Sequence, residues 1–356
     1  MKGVVLHGGQ GTRLRPLTFS GPKQLIPVAN RPVSQYVIED LAAAGVTDIA
    51  VILGDTYPEQ VVSYYGDGSR LGVRITYIYQ GRALGIAHAV LLAEPFVGGE
   101  PFVVYLGDNL LQGGIARYAR EFEEGGYDAM VVLKEVEDPR AFGVAEVRGG
   151  RLVRLVEKPR EPPSNLALVG VYFLTPKVFD VIRSLRPSAR GELEITDALQ
   201  LMIERGYRVG YAVHEGWWLD TGKKDDIILA NQLVLDERAR RRVDPGAQVA
   251  NSRIEGRVEV GAGAVIRDSV VRGPASIAAG AVVEGSFVGP YTSVGAGAAV
   301  RRARVQNSVI LEGAEVSDVE LEDSLVGRRA RVLGRPNGNT IRVRLTVGDY
   351  SVVEVA

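Results

Sequence analysis

Three glycines within four residues, Gly8, Gly9 and Gly11, follow directly on the apolar run Gly3–Leu6. Cations stand close by, in Thr12-Arg13-Leu14-Arg15-Pro16-Leu17-Thr18 and in Pro22-Lys23-Gln24-Leu25. Glycines there let the backbone pass close to a ligand and aim several N–H groups at it. Arg13 and Lys23 add fixed positive charge, so the chemistry suited to this loop is the holding of a polyphosphate. Two other phosphate loops are excluded. The dinucleotide fingerprint needs a glycine where this chain has Leu14, and the P-loop needs a Gly-Lys-Ser/Thr tripeptide that occurs nowhere in the chain.

The elements that must position this loop alternate. Apolar β-type runs at Val4–Leu6, Asp48–Leu53, Arg74–Tyr79, Phe102–Leu106 and Ala129–Leu133 are separated by helical patterns. Helices are expected at Pro32–Ala44, closed by Gly45, at Gly85–Ala93 and at Gly114–Glu123. Strand–helix–strand alternation implies an α/β fold, a Rossmann-like, mainly parallel sheet with its ligand crevice at the carboxyl ends of the strands. The glycine loop after the first strand and Gly107-Asp108-Asn109 after Phe102–Leu106 fall on that one rim.

From about Val249 the texture changes. Ile254, Val260, Ile266, Ile277, Val283, Val288, Val294 and Val300 recur at intervals near six, with Gly, Ala and small polar residues between them. A hexapeptide period means a parallel β-helix in which each anchor stacks under the next coil's. The expected domains are residues 1–240 and 248–356. Arg240-Arg241-Arg242 reads as a solvated helix end, and Asp244-Pro245-Gly246 as the turn closing the first domain. Pro336-Asn337-Gly338 and the segment after it depart from the repeat and are expected to cap the coil.

Composition narrows the classes. With 356 residues the chain is too long for one ordinary core. Hydrophobic residues are 46% and charged residues 24%, the balance of a soluble globular protein. A formal net charge of −1 gives no bulk field for nucleic acid or an anionic membrane. There is no cysteine, so disulfides are impossible and a reducing, cytoplasmic setting is the simplest home. The chain starts on a strand rather than a signal peptide, and no run has the length of a membrane span.

Gly-Gly-x-Gly-Thr-Arg-Leu-x-Pro-Leu-Thr with the downstream Pro-Lys-x-Leu resembles the signature of the sugar-1-phosphate nucleotidylyltransferases. Within that family the chain is most similar to the long form of the glucose-1-phosphate thymidylyltransferases, with a C-terminal left-handed β-helix of hexapeptide repeats. His7 departs from the pattern, which more often has a small residue there, and so bears on base or sugar preference. The reaction the resemblance implies is attack of a sugar-1-phosphate oxygen on the α-phosphorus of a nucleoside triphosphate, dTTP or UTP with glucose-1-phosphate. Both reactants are strongly anionic, so such a site must hold them in line and neutralise developing charge.

The resemblance also implies the site residues. Leu6, Gly8, Gly9, Gly11, Thr12 and Arg13 lie along the nucleotide, Arg13 at the leaving pyrophosphate and Lys23 at the α-phosphate. Gln80, with Gly85, reads the base, since an amide donates and accepts together. Asp108, in Leu106-Gly107-Asp108-Asn109, and Asp220, in Trp217-Trp218-Leu219-Asp220, supply carboxylates for Mg2+. Lys158 pairs with the sugar phosphate and Glu157 with sugar hydroxyls, while Gly143 and Gly170 let backbone approach the hexose. Gly191-Glu192-Leu193-Glu194-Ile195-Thr196-Asp197 is another family motif and shapes the sugar pocket. Taken singly, each aspartate reads as well as a helix cap, and each cation as a solvated surface group.

Two other functions fit the same fold. One is an N-acetylglucosamine-1-phosphate uridylyltransferase whose β-helix also transfers acetyl groups. That chemistry commonly uses a histidine base, and His7, His88 and His214 all lie outside the repeats. The other is a non-catalytic regulatory binder of nucleotide-sugars, which loss of Arg13, Lys23, Asp108 or Asp220 would have signalled. With all four present, the β-helix reads as a module for homo-oligomer assembly or regulation.

Overall fold

The structure is a computed structural model and describes residues 1–336 and 342–355. The chain forms two compact units, Met1–Gly9 with Ser34–Asp220, and Gln10–Val33 with Thr221–Ala356.

The first unit is built on a nine-stranded sheet. Its strands are β1 (Lys2–His7), β2 (Asp48–Gly54), β3 (Arg74–Gly81), β4 (Phe102–Leu106) and β5 (Ala129–Glu135). They continue as β6 (Gly143–Arg148), β7 (Arg151–Glu157), β8 (Leu166–Leu174) and β9 (Val209–Val213). The order is β7-β6-β8-β4-β1-β2-β3, with β5 also on β8 and β9 on β5. Around β1 the pairing is parallel: β1 lies between β2 and β4, and β2 pairs β3. This half carries the expected topology, and its strands read as continuous apolar runs because both faces are covered. Val4, Val5, Ile52, Val103 and Val104 are all fully buried or nearly so.

The other half is mostly antiparallel, with β9 alone running parallel to its neighbour β5. β8 runs against β4, β5 and β6, and β7 against β6. Gly149 and Gly150 join β6 to β7 with φ of 55° and 73°, so this connection is a two-residue hairpin and not a helical crossover. Gly170, at φ 77°, sits where β8 slips register against β5, between Leu168 and Tyr172.

Three of the predicted helices are present as α1 (Val33–Ala43), α2 (Ile86–Leu92) and α3 (Ala116–Gly125). Gly45 ends α1 in the left-handed conformation at φ 81°, and the Val46 N–H returns to the Leu41 carbonyl at 2.9 Å. A further helix, α4 (Ile195–Glu204), carries the second half of the Gly191–Asp197 motif.

In the second unit three parallel sheets stack short strands, the arrangement of the expected left-handed β-helix. Val249, Ile266, Val283, Val300, Val316, Val332 and Val353 form one column. Val260, Ile277, Val294, Ile310, Val326 and Val347 form the second. Ile254, Val271, Val288, Val305, Leu321 and Val343 form the third. Most interior members are fully buried, each contributing about 1.5–3 kcal/mol. The coil repeat is 17 residues, then 16, rather than three full hexapeptides. Buried serines mark one corner: Ser269 and Ser286 each accept the next coil's N–H, Ser286 N–H to Ser269 Oγ and Ala303 N–H to Ser286 Oγ.

Two expectations change. Arg242–Val243 is the first coil strand, paired with Glu259–Val260, so the arginine run leads into the coil. The segment expected to cap the coil continues it. Arg342–Val343, Thr346–Val347 and Val352–Glu354 extend all three stacks, because Val343, Val347 and Val353 fall in the apolar columns. Asn337 and Gly338 lie outside the described residues. The unit also contains α5 (Lys224–Arg238) and the signature segment Gln10–Val33.

Candidate active site

At the carboxyl end of β1, Gly8 faces Gln80 at the end of β3. A Cβ on Gly8 would lie 3.6 Å from Gln80 Oε1, and one on Gly54, at the end of β2, would lie 3.2 Å from Gly8 Cα. The Gln80 amide donates to the Gly85 carbonyl at 3.2 Å and lies 3.2 Å from His88 Nδ1. Gly85 is glycine for a structural reason as well. Its φ of 103° suits no other residue, and a Cβ would sit 2.3 Å from the Leu193 carbonyl oxygen. Leu193 in turn donates to Leu84 O at 2.8 Å and accepts from Ala87 N–H at 3.0 Å. The Gly191–Asp197 motif is thus tied to the Gln80–Gly85 loop. Leu6 is buried, its carbonyl accepting the Gly107 N–H at 3.0 Å, while Gly9 is exposed at φ 90°. The His7 ring is buried edge-on to Tyr65, 6.1 Å between ring centres.

A short ladder brings the backbones of the two candidate metal ligands near each other. Asn109–Leu111 pairs antiparallel with Trp218–Asp220, which sets Asp220 opposite Asn109. Asp108 is the residue before, 7% exposed, and accepts from the Asn109 amide at 3.1 Å. The Trp218 indole N–H donates to Asn109 Oδ1 at 2.7 Å, which fixes that amide's orientation. Among the described residues no three His, Cys, Asp or Glu side chains group for a metal. A pair of carboxylates is still a fitting donor set for Mg2+, which is typically bound by one or two carboxylates plus substrate phosphates.

The sugar-side residues continue from this ladder. A Cβ on Gly170 would meet Leu106 Cδ1 at 2.9 Å and Asn109 Cγ at 3.2 Å. Phe142 packs on Trp218, ring centres 4.9 Å apart. Gly143 pairs with Glu157 across β6 and β7. A Cβ on Gly143 would lie 3.0 Å from Thr196 Oγ1, and that hydroxyl donates to Glu157 Oε2 at 2.6 Å. Lys158, exposed and at φ 41°, donates its N–H to Phe142 O and holds its ammonium 3.7 Å from Glu157 Oε1. Arg190 closes the cluster, bonding both oxygens of the buried Glu194 at 2.9 and 2.8 Å and lying 3.4 Å from Glu157. Burial, with Glu194 and Glu157 nearby, raises the Asp197 carboxyl above the usual range.

Gly11, Thr12, Arg13 and Lys23 belong to the second unit. Gly11 is left-handed at φ 61°, and its carbonyl accepts the Thr18 hydroxyl at 2.8 Å. A Cβ there would meet Thr18 Cγ2 at 2.9 Å and Lys23 Cβ at 3.2 Å, so the glycine lets the loop fold back on the lysine stem. Thr12 and Arg13 are exposed, and Lys23 is half-buried. Burial raises the Asp226 carboxyl, and the Arg13 charge opposes that rise, which places Arg13 near the start of α5.

Within the first unit, Gly8, Gln80, Gly85, Asp108, Asp220, Gly143, Glu157, Lys158 and Gly170 are therefore joined by direct contacts or strand pairing, through Leu193, Thr196, Asn109 and Trp218. Sequence reasoning gave these four linking residues no separate role, and it missed Arg190. For Arg190 the available signal was an arginine immediately before an acidic motif.

The family model described as Nucleotidyl transferase matches residues 2–237. The chain is 44% identical to a glucose-1-phosphate thymidylyltransferase of Streptomyces griseus over 100% of both chains. It is 52% identical to the low-salt glycan biosynthesis nucleotidyltransferase Agl11 of Haloferax volcanii, over 73% of this chain and 72% of that one. Among solved structures it is similar to a putative glucose-1-phosphate thymidylyltransferase from Bacillus anthracis, with a TM-score of 0.62 and 42% identity over 65% of this chain and 94% of the other. A family match over most of the chain means that the chain belongs to the nucleotidyl transferase family.

Proposed function

We propose that this protein is a glucose-1-phosphate thymidylyltransferase, converting dTTP and glucose-1-phosphate to dTDP-glucose and pyrophosphate. The observation that carries the reading is the Asn109–Asp220 pairing. It sets Asp220 opposite Asn109, the neighbour of Asp108 and a contact of Gly170, in a chain alike end to end with a thymidylyltransferase.

In the reaction a phosphate oxygen of the sugar attacks the α-phosphorus of dTTP. The bond from that phosphorus to the oxygen bridging to the β-phosphate breaks, and pyrophosphate leaves with the electron pair. Lys158 holds the sugar phosphate and Glu157, oriented by Thr196, takes sugar hydroxyls. Gln80 and Gly85 present the base edge, with Leu6 and Gly8 beside the nucleoside. Gly9, Gly11 and Thr12 line the phosphates, Lys23 steadies charge at the α-phosphate, and Arg13 receives the departing pyrophosphate. Asp108 and Asp220 hold Mg2+, which when bound supplies charge neutralisation to the phosphates. The protein's own contribution is alignment and fixed charge, with no covalent intermediate.

The division into a catalytic domain, 1–240, and a β-helix, 248–356, belongs to the same proposal, as do a homo-oligomeric assembly and a cytoplasmic setting. Among the described residues no helix is long and apolar enough to cross a membrane.

The test is pyrophosphate release by the purified protein with Mg2+, crossing dTTP, UTP, CTP, ATP and GTP with glucose-1-phosphate and N-acetylglucosamine-1-phosphate. Release that needs dTTP and glucose-1-phosphate together supports the reading. Release with the N-acetylglucosamine pair alone overturns the substrate assignment, and no release from folded protein overturns catalysis.

A further inference from the structure

The signature segment that carries Arg13 and Lys23 is fastened to the end of the β-helix at three points. Ser20 Oγ donates to Asp349 Oδ2 at 2.6 Å. Arg328, from the preceding coil, donates from its guanidinium to the Leu25 carbonyl at 3.2 Å. Pro16 lies under Gly348, where a Cβ would approach Pro16 Cβ to 3.0 Å. Asp349 and Arg328 are themselves joined: Asp349 Oδ1 accepts the Arg328 backbone N–H at 2.7 Å, and Oδ2 faces its guanidinium at 3.5 Å. The Asp349 side chain is only 4% exposed and is held by these partners. Pro16 is three residues beyond Arg13, and Ser20 and Leu25 stand on either side of Lys23. The fastened points thus bracket Lys23 and begin three residues after Arg13.

We infer that Asp349 and Arg328 are positioning residues for nucleotidyl transfer, the coil they belong to setting where Lys23 stands relative to the nucleotide phosphates. This rests on the assignment of Lys23 to the α-phosphate. The geometry suits a phosphate-holding segment. Its three short turns, Thr12–Leu14, Leu17–Phe19 and Lys23–Leu25, are each a single 3-10 turn, and the coil contacts at Pro16, Ser20 and Leu25 fasten them to a rigid frame. Because Ser20 and Leu25 are anchored through one carboxylate–guanidinium pair, loosening either anchor frees the same short stretch. Nothing in this role requires the coil to touch a substrate.

The experiment compares Ser20→Ala, Asp349→Asn and the double variant with a control, Asp318→Asn. Asp318 is a similarly shielded β-helix carboxylate, but it pairs with Arg302 within the coils. A charge-assisted hydrogen bond carries enough free energy that kcat/KM for dTTP is expected to fall ~10-fold in Asp349→Asn. Ser20→Ala should fall by a smaller factor. The double variant should be no worse than Asp349→Asn alone, because both changes break one linkage. KM for glucose-1-phosphate should stay within about twofold of the parent and Asp318→Asn should match the parent, which a general loss of stability would not reproduce. Unchanged dTTP kinetics in Ser20→Ala and Asp349→Asn, or an equal loss in Asp318→Asn, overturns the inference. A parent protein that makes no dTDP-glucose overturns the reading on which it rests, and the unmutated control separates that failure from the other.

Discussion

Gly85→Ala measures how firmly the Gly191–Asp197 motif is tied to the base-side loop. The added methyl meets two obstacles. The backbone at φ 103° and ψ 166° lies in a region almost reserved for glycine, at a cost of about 1–3 kcal/mol. The Cβ would also stand 2.3 Å from Leu193 O and 2.7 Å from Leu193 N, both backbone atoms that cannot swing aside. Relieving that contact pulls at the Leu193–Leu84 and Ala87–Leu193 hydrogen bonds, each contributing about 1 kcal/mol. The total is roughly 3–5 kcal/mol. For a unit of some 200 residues that lowers the melting temperature by about 10–15 °C. Gly45→Ala is the matched control, because Gly45 has φ 81° with nothing within 4 Å of its Cβ position. It should cost only the conformational term, about 1–2 kcal/mol. Thermal unfolding of both variants gives the clash by difference, and dTTP kinetics at a permissive temperature show whether Gln80 has moved with its loop. Equal melting points for the two variants would refute the account, since the Leu193 backbone would then impose no constraint.

Three further outcomes follow from the site. Lys158→Ala should raise KM for glucose-1-phosphate far more than KM for dTTP, and equal increases would remove Lys158 from the sugar phosphate. Asp108→Asn should lower turnover by about 10² or more at saturating Mg2+, and near-normal turnover would sink its metal role. His214 is buried, with Nδ1 2.8 Å from the Tyr118 hydroxyl and Nε2 3.0 Å from the Trp217 carbonyl, and burial holds its pKa below the ordinary 6.5. The unfolded chain then takes up this proton first. The contribution is whole above the unfolded value and is lost as pH falls below it, so denaturant stability measured from about pH 7.5 to 5.5 should fall more steeply in the parent than in His214→Gln. Identical slopes would exclude it.

The parts of the fold most legible in the sequence were those whose signal is local. A strand buried on both faces announces itself as an apolar run, and the five predicted strands recur with their ends shifted by at most two residues or so. The apolar columns were readable because each anchor must stack on its own kind, although the 17-residue coil is visible only as a six-residue period that slips at one corner. The antiparallel half was less legible, since β6 and β7 are half-exposed and their direction is decided by Gly149-Gly150. At the site, residue types were readable but partners were not. Nothing near Asp108 in sequence reveals that Asp220 will stand opposite its neighbour, because that depends on a pairing across more than a hundred residues.

The same reasoning explains why the signature segment could be recognised in the sequence while its partners in the coil could not. Its glycines and cations are dictated by the ligand they are suited to hold, so they appear together in sequence. What holds the segment in shape is dictated by packing, and packing draws partners from anywhere in the chain. The Ser20–Asp349 bond spans 329 residues and the Arg328–Leu25 bond 303. Ala29 N–H is received by Asn231 Oδ1 at 2.8 Å, and the same oxygen takes the Ser293 hydroxyl at 2.7 Å. Asn231 also donates to Tyr291 O at 2.8 Å, so one buried amide in α5 links the segment to two neighbouring coil residues. A side chain that is 1% exposed and bonded on three sides cannot be replaced without leaving a polar group stranded. An appended coil needed only for assembly would have no reason to make these contacts. Their burial argues that the repeat and the signature segment form one folded piece.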